Sequence, residues 1–234
     1  MKKYIILNTL VFLYTFCSYA HNSKSLIFIR HGTTDWSWEM MAEGTKDLPL
    51  NQVGKTFIAN IADRLYITNI VPEQIISSPL LRCRQTAEII QNIYFVKIGK
   101  KIPILIKDEI QGPKYGNWSS EIKKDIQLIV QNIKKMNLPS LESKKLLVEE
   151  LKKFPKTDKE PWEDFIKRAL LAIEQIEKNY QGTSIVITHG SFCEEYLRAK
   201  GKHSSIEENY WKTDNRDPLV INYNQNDIEL SILK

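Results

Sequence analysis

Two apolar runs in this chain stop in the same way, and that shared ending constrains the fold more than any other feature. Leu26-Ile27-Phe28-Ile29 breaks off at Arg30, His31 and Gly32, and Ile185-Val186-Ile187 breaks off after Thr188 at His189 and Gly190. Short uninterrupted apolar runs fit strands buried in a sheet. Strand-like runs lie at Leu26–Arg30, Gln74–Ser77, Ile102–Ile106, Ser184–Thr188, Leu219–Tyr223 and Ile228–Leu233. Segments of helical period separate the first four. That alternation predicts an α/β fold of three layers, a mostly parallel central sheet flanked by helices. The last two runs, parted by the polar residues 224–227, read as a closing hairpin.

The helices are marked by spacing and by their ends. Trp162, Phe165, Ile166, Ala169, Ile173, Ile176 and Tyr180 recur at three and four, with Pro161 fitting the first helical position and Gly182 the exit. Ile122, Ile126, Ile129, Val130 and Ile133 form a second stripe, backed by Lys123, Lys124, Lys134 and Lys135, which read as a solvated face. Lysine-rich and poor in strand signal, the stretch from about 113 to 158 is expected to be a helical insertion. In residues 75–90, Ser78 fits a helix N-cap, Pro79 the first helical position and Arg82 the first turn, while Cys83, Ala87 and Ile90 make an apolar stripe.

The first twenty residues read as a separate unit. Lys2 and Lys3 precede an apolar segment from Tyr4 to Phe16, and Ser18-Tyr19-Ala20 supplies the small residues of a cleavage site. A signal peptide cut after Ala20 is expected, with residues 21–234 as one domain exported to the periplasm or beyond. A retained span would want about 20 apolar residues, and Phe16 before Cys17 argues against a lipid-anchored cysteine. Loss of Lys2 and Lys3 leaves 31 basic and 28 acidic residues, too even a balance to argue for nucleic acid. Of the cysteines, Cys83 and Cys193 remain, read as buried thiols.

In doubly wound sheets, ligands sit beyond the carboxyl ends of the strands. His31 and His189 close two strands, and Arg30 and Arg82 stand beside strand ends. Two histidines and two arginines at one edge make a cationic pocket suited to phosphoryl transfer, whose charge spreads over three oxygens. A neutral imidazole with its other nitrogen fixed can attack phosphorus. Arginine forks suit phosphate oxygens, and Gly32 and Gly190 let backbone come close. This chemistry calls for no metal and no cofactor.

The motifs "RHGTTDW" at 30–36, "GTKDLPLNQVGK" at 44–55, "SSPLLRCRQTAE" at 77–88 and "THGS" at 188–191 resemble, in order and spacing, those of the histidine phosphatase superfamily, which includes phosphoglycerate mutases and many phosphatases. The resemblance implies that His31 accepts the phosphoryl group and that Arg30, Arg82 and His189 bind it. Thr34 takes the usual Ser or Thr place, and Ser37 stands where many members have an asparagine that contacts phosphate. Members also supply a glutamate four residues before a glycine to protonate the leaving oxygen. Alignment on Gly116 puts Gly112 in that place, so either Glu109 reaches in, with Asp108 nearby, or another carboxylate does, or the acid is lacking; Glu109 is the preferred expectation. The implied substrate is a small phosphate ester. A mutase-like phosphotransferase and a phosphate-binding pseudoenzyme, the latter suggested by Gly112, stand as alternatives.

Overall fold

The computed structural model describes residues 24–35, 43–114, 120–138, 160–199, 219–224 and 227–232, with scattered positions between 142 and 153. The expected leader and Ser37 lie outside the described residues. The strands are β1 (Lys24–Arg30), β2 (Gln74–Ser77), β3 (Ile104–Ile106), β4 (Thr183–Thr188), β5 (Leu219–Asn224) and β6 (Asp227–Ile232). They form one sheet in the order β3-β2-β4-β1-β5-β6. The first four run parallel, and β5 and β6 close the sheet antiparallel beside β1. β3 starts later than the sequence suggests, because Pro103 has no N–H for the ladder and contributes only its carbonyl, which accepts from Ile75.

The helices are α1 (Gln52–Ile67), α2 (Leu81–Ile98), α3 (Ser120–Lys135), α4 (Trp162–Asn179) and α5 (Gly190–Ala199). Alternate side chains of β1 divide between two cores. Ile27 and Ile29 pack with Ile58, Ile61 and Leu65 of α1 and Cys83, Ala87 and Ile90 of α2. Leu26 and Phe28 pack with Phe165, Ala169 and Ile173 of α4 and Phe192 and Tyr196 of α5. A strand buried on both faces is thus covered by a helical layer on each side. At about 1.5–3 kcal/mol for each buried large aliphatic or aromatic side chain, these two cores dominate the folding free energy.

The parallel register aligns the strand exits. Arg30 pairs with Thr188 across β1 and β4, and Ser77 with Ile187 across β2 and β4. Residues 31, 78 and 189 therefore leave the sheet side by side at its carboxyl edge. Of the expected insertion, α3 is described, and Val130 and Ile133 of its stripe are buried.

Candidate active site

His31 sits 2% exposed at the end of β1, its N–H donating to the Thr188 carbonyl at 3.1 Å. Its Nδ1 lies 2.8 Å from the Gly32 carbonyl. A carbonyl can only accept, so Nδ1 carries the hydrogen and Nε2 presents its lone pair. Gly32 is held in turn by its N–H donating to Thr86 Oγ1 at 3.2 Å, whose hydroxyl donates to the Arg82 carbonyl at 2.8 Å. No side chain fits at Gly32, since a Cβ there would lie 2.8 Å from the Gly54 carbonyl.

Arg82, 1% exposed in the first turn of α2, is the hub. Nε donates toward His31 Nε2 at 3.2 Å, one Nη donates to the Lys46 carbonyl at 2.8 Å, and the other to the Gly44 carbonyl at 2.9 Å. That last nitrogen also lies 3.3 Å from His189 Nδ1. An arginine can only donate, so His189 Nδ1 accepts and its Nε2–H faces Ser78 Oγ at 3.0 Å. The two imidazoles meet edge to face, with centroids 5.1 Å apart.

Ser78 differs from its expected role. α2 begins at Leu81 with Leu80 at its cap and no capping side chain from its own segment. The Ser78 hydroxyl serves His189 instead, and Asp47, reaching from the loop before α1, accepts from the Leu81 N–H. The 43–51 loop is thereby tied to α2, also by Leu50 N–H donating to Gln85 at 2.8 Å.

That loop delivers a carboxylate that sequence reasoning missed. Glu43 Oε2 stands 3.3 Å from His31 Nε2 and 3.4 Å from Arg82 Nε, and its other oxygen accepts from the buried Thr34 hydroxyl. Its side chain is 9% exposed, against 2% for His31. Burial pushes this carboxyl up, but His31, Arg82 and Thr34 together bring it down to about 2. His31 itself is lowered by burial, against the pull of Glu43 and with the repulsion of Arg82 and Arg30. A neutral imidazole holds no anion, so Arg82 and Thr34 are the partners that keep Glu43 ionised beside it. The Arg82 Nε–H, pointed at both Nε2 and Oε2, separates two atoms that would otherwise face each other as bare acceptors. His189 is lowered further still, by burial first and then by His31, Arg82, Arg30 and Arg168.

Arg30 completes the cluster. Its guanidinium lies over Gly190, where a Cβ would approach Nη1 to 3.4 Å. Its buried Nε has no hydrogen-bond partner among the described residues. A buried unpartnered cationic donor is costly unless a ligand completes it. An anion is the ligand this geometry suits. Cys83, whose Sγ lies 3.6 Å from His189 Nε2, is pushed up to about 12 by burial and stays a thiol. Cys83 and Cys193 are both buried and free.

The sequence model of the histidine phosphatase superfamily (branch 1) matches residues 26–233. The chain belongs to that superfamily. It is similar to the uncharacterised phosphatase PhoE of Bacillus subtilis, 32% identical over 93 residues that cover 40% of this chain and 44% of that protein. It is also similar to phosphoglycerate mutase-like protein 4 of Arabidopsis thaliana, 26% identical over 78% of this chain and 74% of that one. The match to PhoE spans under half of that relative's length. Among solved structures, the alpha-ribazole phosphatase of Shigella flexneri shares the fold, with a TM-score of 0.63 at 19% identity over 89% of this chain and 95% of that one.

The two residues considered for the acid's place, Gly112 and Glu109, lie apart. Gly112 does stand at the pocket's edge, as a Cβ there would lie 3.2 Å from His189 Cβ and Cγ. Glu109, expected to stand in for the missing glutamate, does not join the cluster. It lies in a short 3-10 turn at Asp108–Ile110 with an exposed side chain. That side chain lines an open cleft of about 310 Å³ with Asp164, Lys167 and Arg168 of α4. The reason is the way the loop is held. Arg168 donates to the carbonyls of Glu109, Gln111 and Gly112 and pairs with Glu160 at 2.8 Å, and Thr188 donates to the Ile110 carbonyl. These bonds pin the backbone with Glu109 turned toward α4. Among the described residues, no group of three or more His, Cys, Asp or Glu side chains is arranged to hold a metal ion.

Proposed function

We propose that this chain is an exported phosphatase that hydrolyses small phosphate monoesters through a phosphohistidine at His31. The observation that carries the reading is the buried His31 ring, with Nδ1–H fixed on the Gly32 carbonyl and Nε2 turned toward Arg82. A nucleophile must be neutral and oriented, and this one is both. The phosphoryl group enters beside Nε2 and takes its charge compensation from Arg82 and the unpartnered Arg30 Nε. Arg guanidiniums suit this place because they stay charged while both imidazoles stay neutral. His189, oriented by Ser78, closes the side of the pocket next to His31.

Export rests on Lys2, Lys3, the apolar run 4–16 and the small residues up to Ala20. Among the described residues, no helix is long and apolar enough to cross a membrane. A mature protein beginning at His21 in the extracytoplasmic fraction is the expected outcome, read by N-terminal sequencing.

The second reading is a mutase-like phosphotransferase, favoured by the similarity to the Arabidopsis mutase-like protein over most of both chains. Product analysis separates the two. A phosphatase releases inorganic phosphate, whereas a mutase returns an isomeric phosphate ester. The experiment for the main reading is hydrolysis of an aryl phosphate by protein lacking residues 1–20, beside His31→Ala. Turnover with a phosphohistidine label in the parent, and neither in the variant, is the expected result. Normal turnover by His31→Ala refutes it.

A further inference from the structure

The pocket holds a carboxylate at the spot an incoming phosphoryl group must take, and the glutamate expected to supply a proton is turned away. Resting on the phosphohistidine reading above, we propose that Glu43 is the proton donor and acceptor of the reaction. The geometry carries the assignment. Glu43 Oε2 is 3.3 Å from His31 Nε2, the attacking atom, so the carboxylate stands beside the place that phosphorus must take. His31 and Arg82 beneath it are almost fully buried, and Glu43 alone of the three is partly exposed. With His31 and Arg82 the more deeply buried, a phosphate ester sets its phosphoryl group against them and its leaving oxygen on the Glu43 side. Glu43, displaced outward by that group, is brought against the leaving oxygen.

The protonation follows the charge. In the ligand-free pocket, Arg82 and the Thr34 hydroxyl hold Glu43 as an anion. A phosphoryl dianion takes over Arg82 and sets two negative charges beside the carboxylate, which then binds a proton. Nε2 must keep its lone pair free to attack, so within the pair the proton resides on Glu43.

The steps balance. The Nε2 lone pair forms the N–P bond as the P–O bond to the leaving alcohol breaks. The electron pair of the broken bond stays on that oxygen, which takes the Glu43 proton and departs as the alcohol. The Glu43 carboxylate then takes a proton from water, whose oxygen bonds phosphorus as the P–N bond breaks and its pair returns to Nε2. Phosphate leaves, with Glu43 again protonated.

The test compares an aryl phosphate, whose leaving group needs no proton, with glycerol phosphate, whose alkoxide does. Glu43→Gln is expected to lower kcat/KM on glycerol phosphate by about 10²–10⁴-fold, the usual contribution of general acid catalysis. The first-turnover burst from the aryl phosphate should persist, and labelled phosphohistidine should accumulate because the water step has lost its base. Equal losses of kcat/KM on both substrates overturn the assignment, since that ratio reads the step in which the leaving group departs and not the shared water step. So does unchanged or increased glycerol phosphate turnover, which would make Glu43 a mere occupant of the pocket. Should Glu43→Gln fail to fold, Glu43→Asp keeps the charge held by Arg82 and Thr34 but draws the carboxyl back by one methylene. It should lose kcat/KM for glycerol phosphate selectively, and equal losses of kcat/KM on the two substrates overturn the assignment as well. If the parent is labelled at His31 while Glu43→Gln keeps its glycerol phosphate activity, only the role of Glu43 falls. If the parent forms no label on His31, the phosphohistidine reading falls and the assignment with it.

Discussion

Gly54→Ala tests whether the histidine loop is positioned by close backbone contact. Gly54 is the third residue of α1, where the helix end meets the chain leaving β1. A Cβ built there would lie 2.3 Å from the Thr33 carbonyl oxygen and 2.6 Å from its nitrogen. Ordinary contact begins near 3.4 Å, so helix and loop must part by roughly 1 Å. Two links cross this seam. Asn51 N–H donates to the Thr33 carbonyl at 2.9 Å, and the Thr33 hydroxyl donates to Asn51 Oδ1 at 2.9 Å. The same Oδ1 caps the helix by accepting from Gly54 N–H at 2.8 Å. Overpacking typically costs about 1–3 kcal/mol, and each strained hydrogen bond adds about 1 kcal/mol. Alanine returns up to about 1 kcal/mol as the better helix former. The net expectation is a loss of about 2–4 kcal/mol. In urea denaturation the midpoint should fall with an unchanged slope. Activity should fall with it, because Thr33 follows Gly32, whose carbonyl fixes Nδ1 of His31. A displacement near 1 Å there costs about 10²-fold. An alanine variant within about 0.5 kcal/mol of the parent and fully active would refute the claim that this contact sets the loop.

Stability should also fall with acid, in two windows. Both His31 and His189 are lowered in the folded state, so the unfolded chain binds more protons once pH drops below about 6.5, and stability declines from there. The contribution of Glu43, whose carboxyl is held below the usual carboxylate range when folded, is present above its unfolded value near 4.3 and lost as pH falls through its lower folded value. Thermal melts from pH 8 to 4 should show Tm flat above about 7.5 and falling below 6.5, and a Tm unchanged down to pH 5 would contradict buried neutral imidazoles. Arg168→Ala should lower kcat by about tenfold and destabilise the fold by about 2–3 kcal/mol, since it frees the 109–112 backbone beside His189 and leaves Glu160 without its fork. Arg168→Lys should not restore kcat, because one ammonium cannot span three carbonyls and a carboxylate.

The sheet and the residues at its edge were readable from sequence because they obey local rules. A strand covered on both faces is apolar throughout, and its end shows as the first charged or glycine residue. Arg30, His31, His189 and Gly190 are marked in this way, and Arg82 by its distance from a strand end. The interactions that escaped are those set by distant segments. Ser78 has the chemistry of an N-cap, yet its hydroxyl is used by His189, 111 positions away. The capping role passes to Asp47, 34 positions before the helix it caps. Glu109 was expected at the pocket from its nearness to a glycine, but the hold of Arg168 on the carbonyls of Glu109, Gln111 and Gly112 decides where it faces. Glu43 had one faint signal, an acidic residue immediately before Gly44 where the second motif begins. Only the tertiary contact of Arg82 with the Gly44 and Lys46 carbonyls brings that position against His31.

The acid sensitivity expected of the fold and the nucleophilicity expected of His31 have a single cause. Protonating either imidazole would add a positive charge beside Arg30 and Arg82, and for His189 beside Arg168 as well, in a buried site where water cannot screen it. Folding therefore works against the imidazolium, which costs stability as pH falls. Burial, with the same repulsion, keeps Nε2 unprotonated and available for attack at pH values where a free histidine would be largely charged. Charge compensation for a phosphoryl dianion is left to guanidiniums, which cannot lose their protons, and proton transfer is left to a carboxyl whose affinity changes with the occupant of the pocket. A substitution that made His31 easier to protonate, such as one relieving its burial, should stabilise the protein in acid and slow it there.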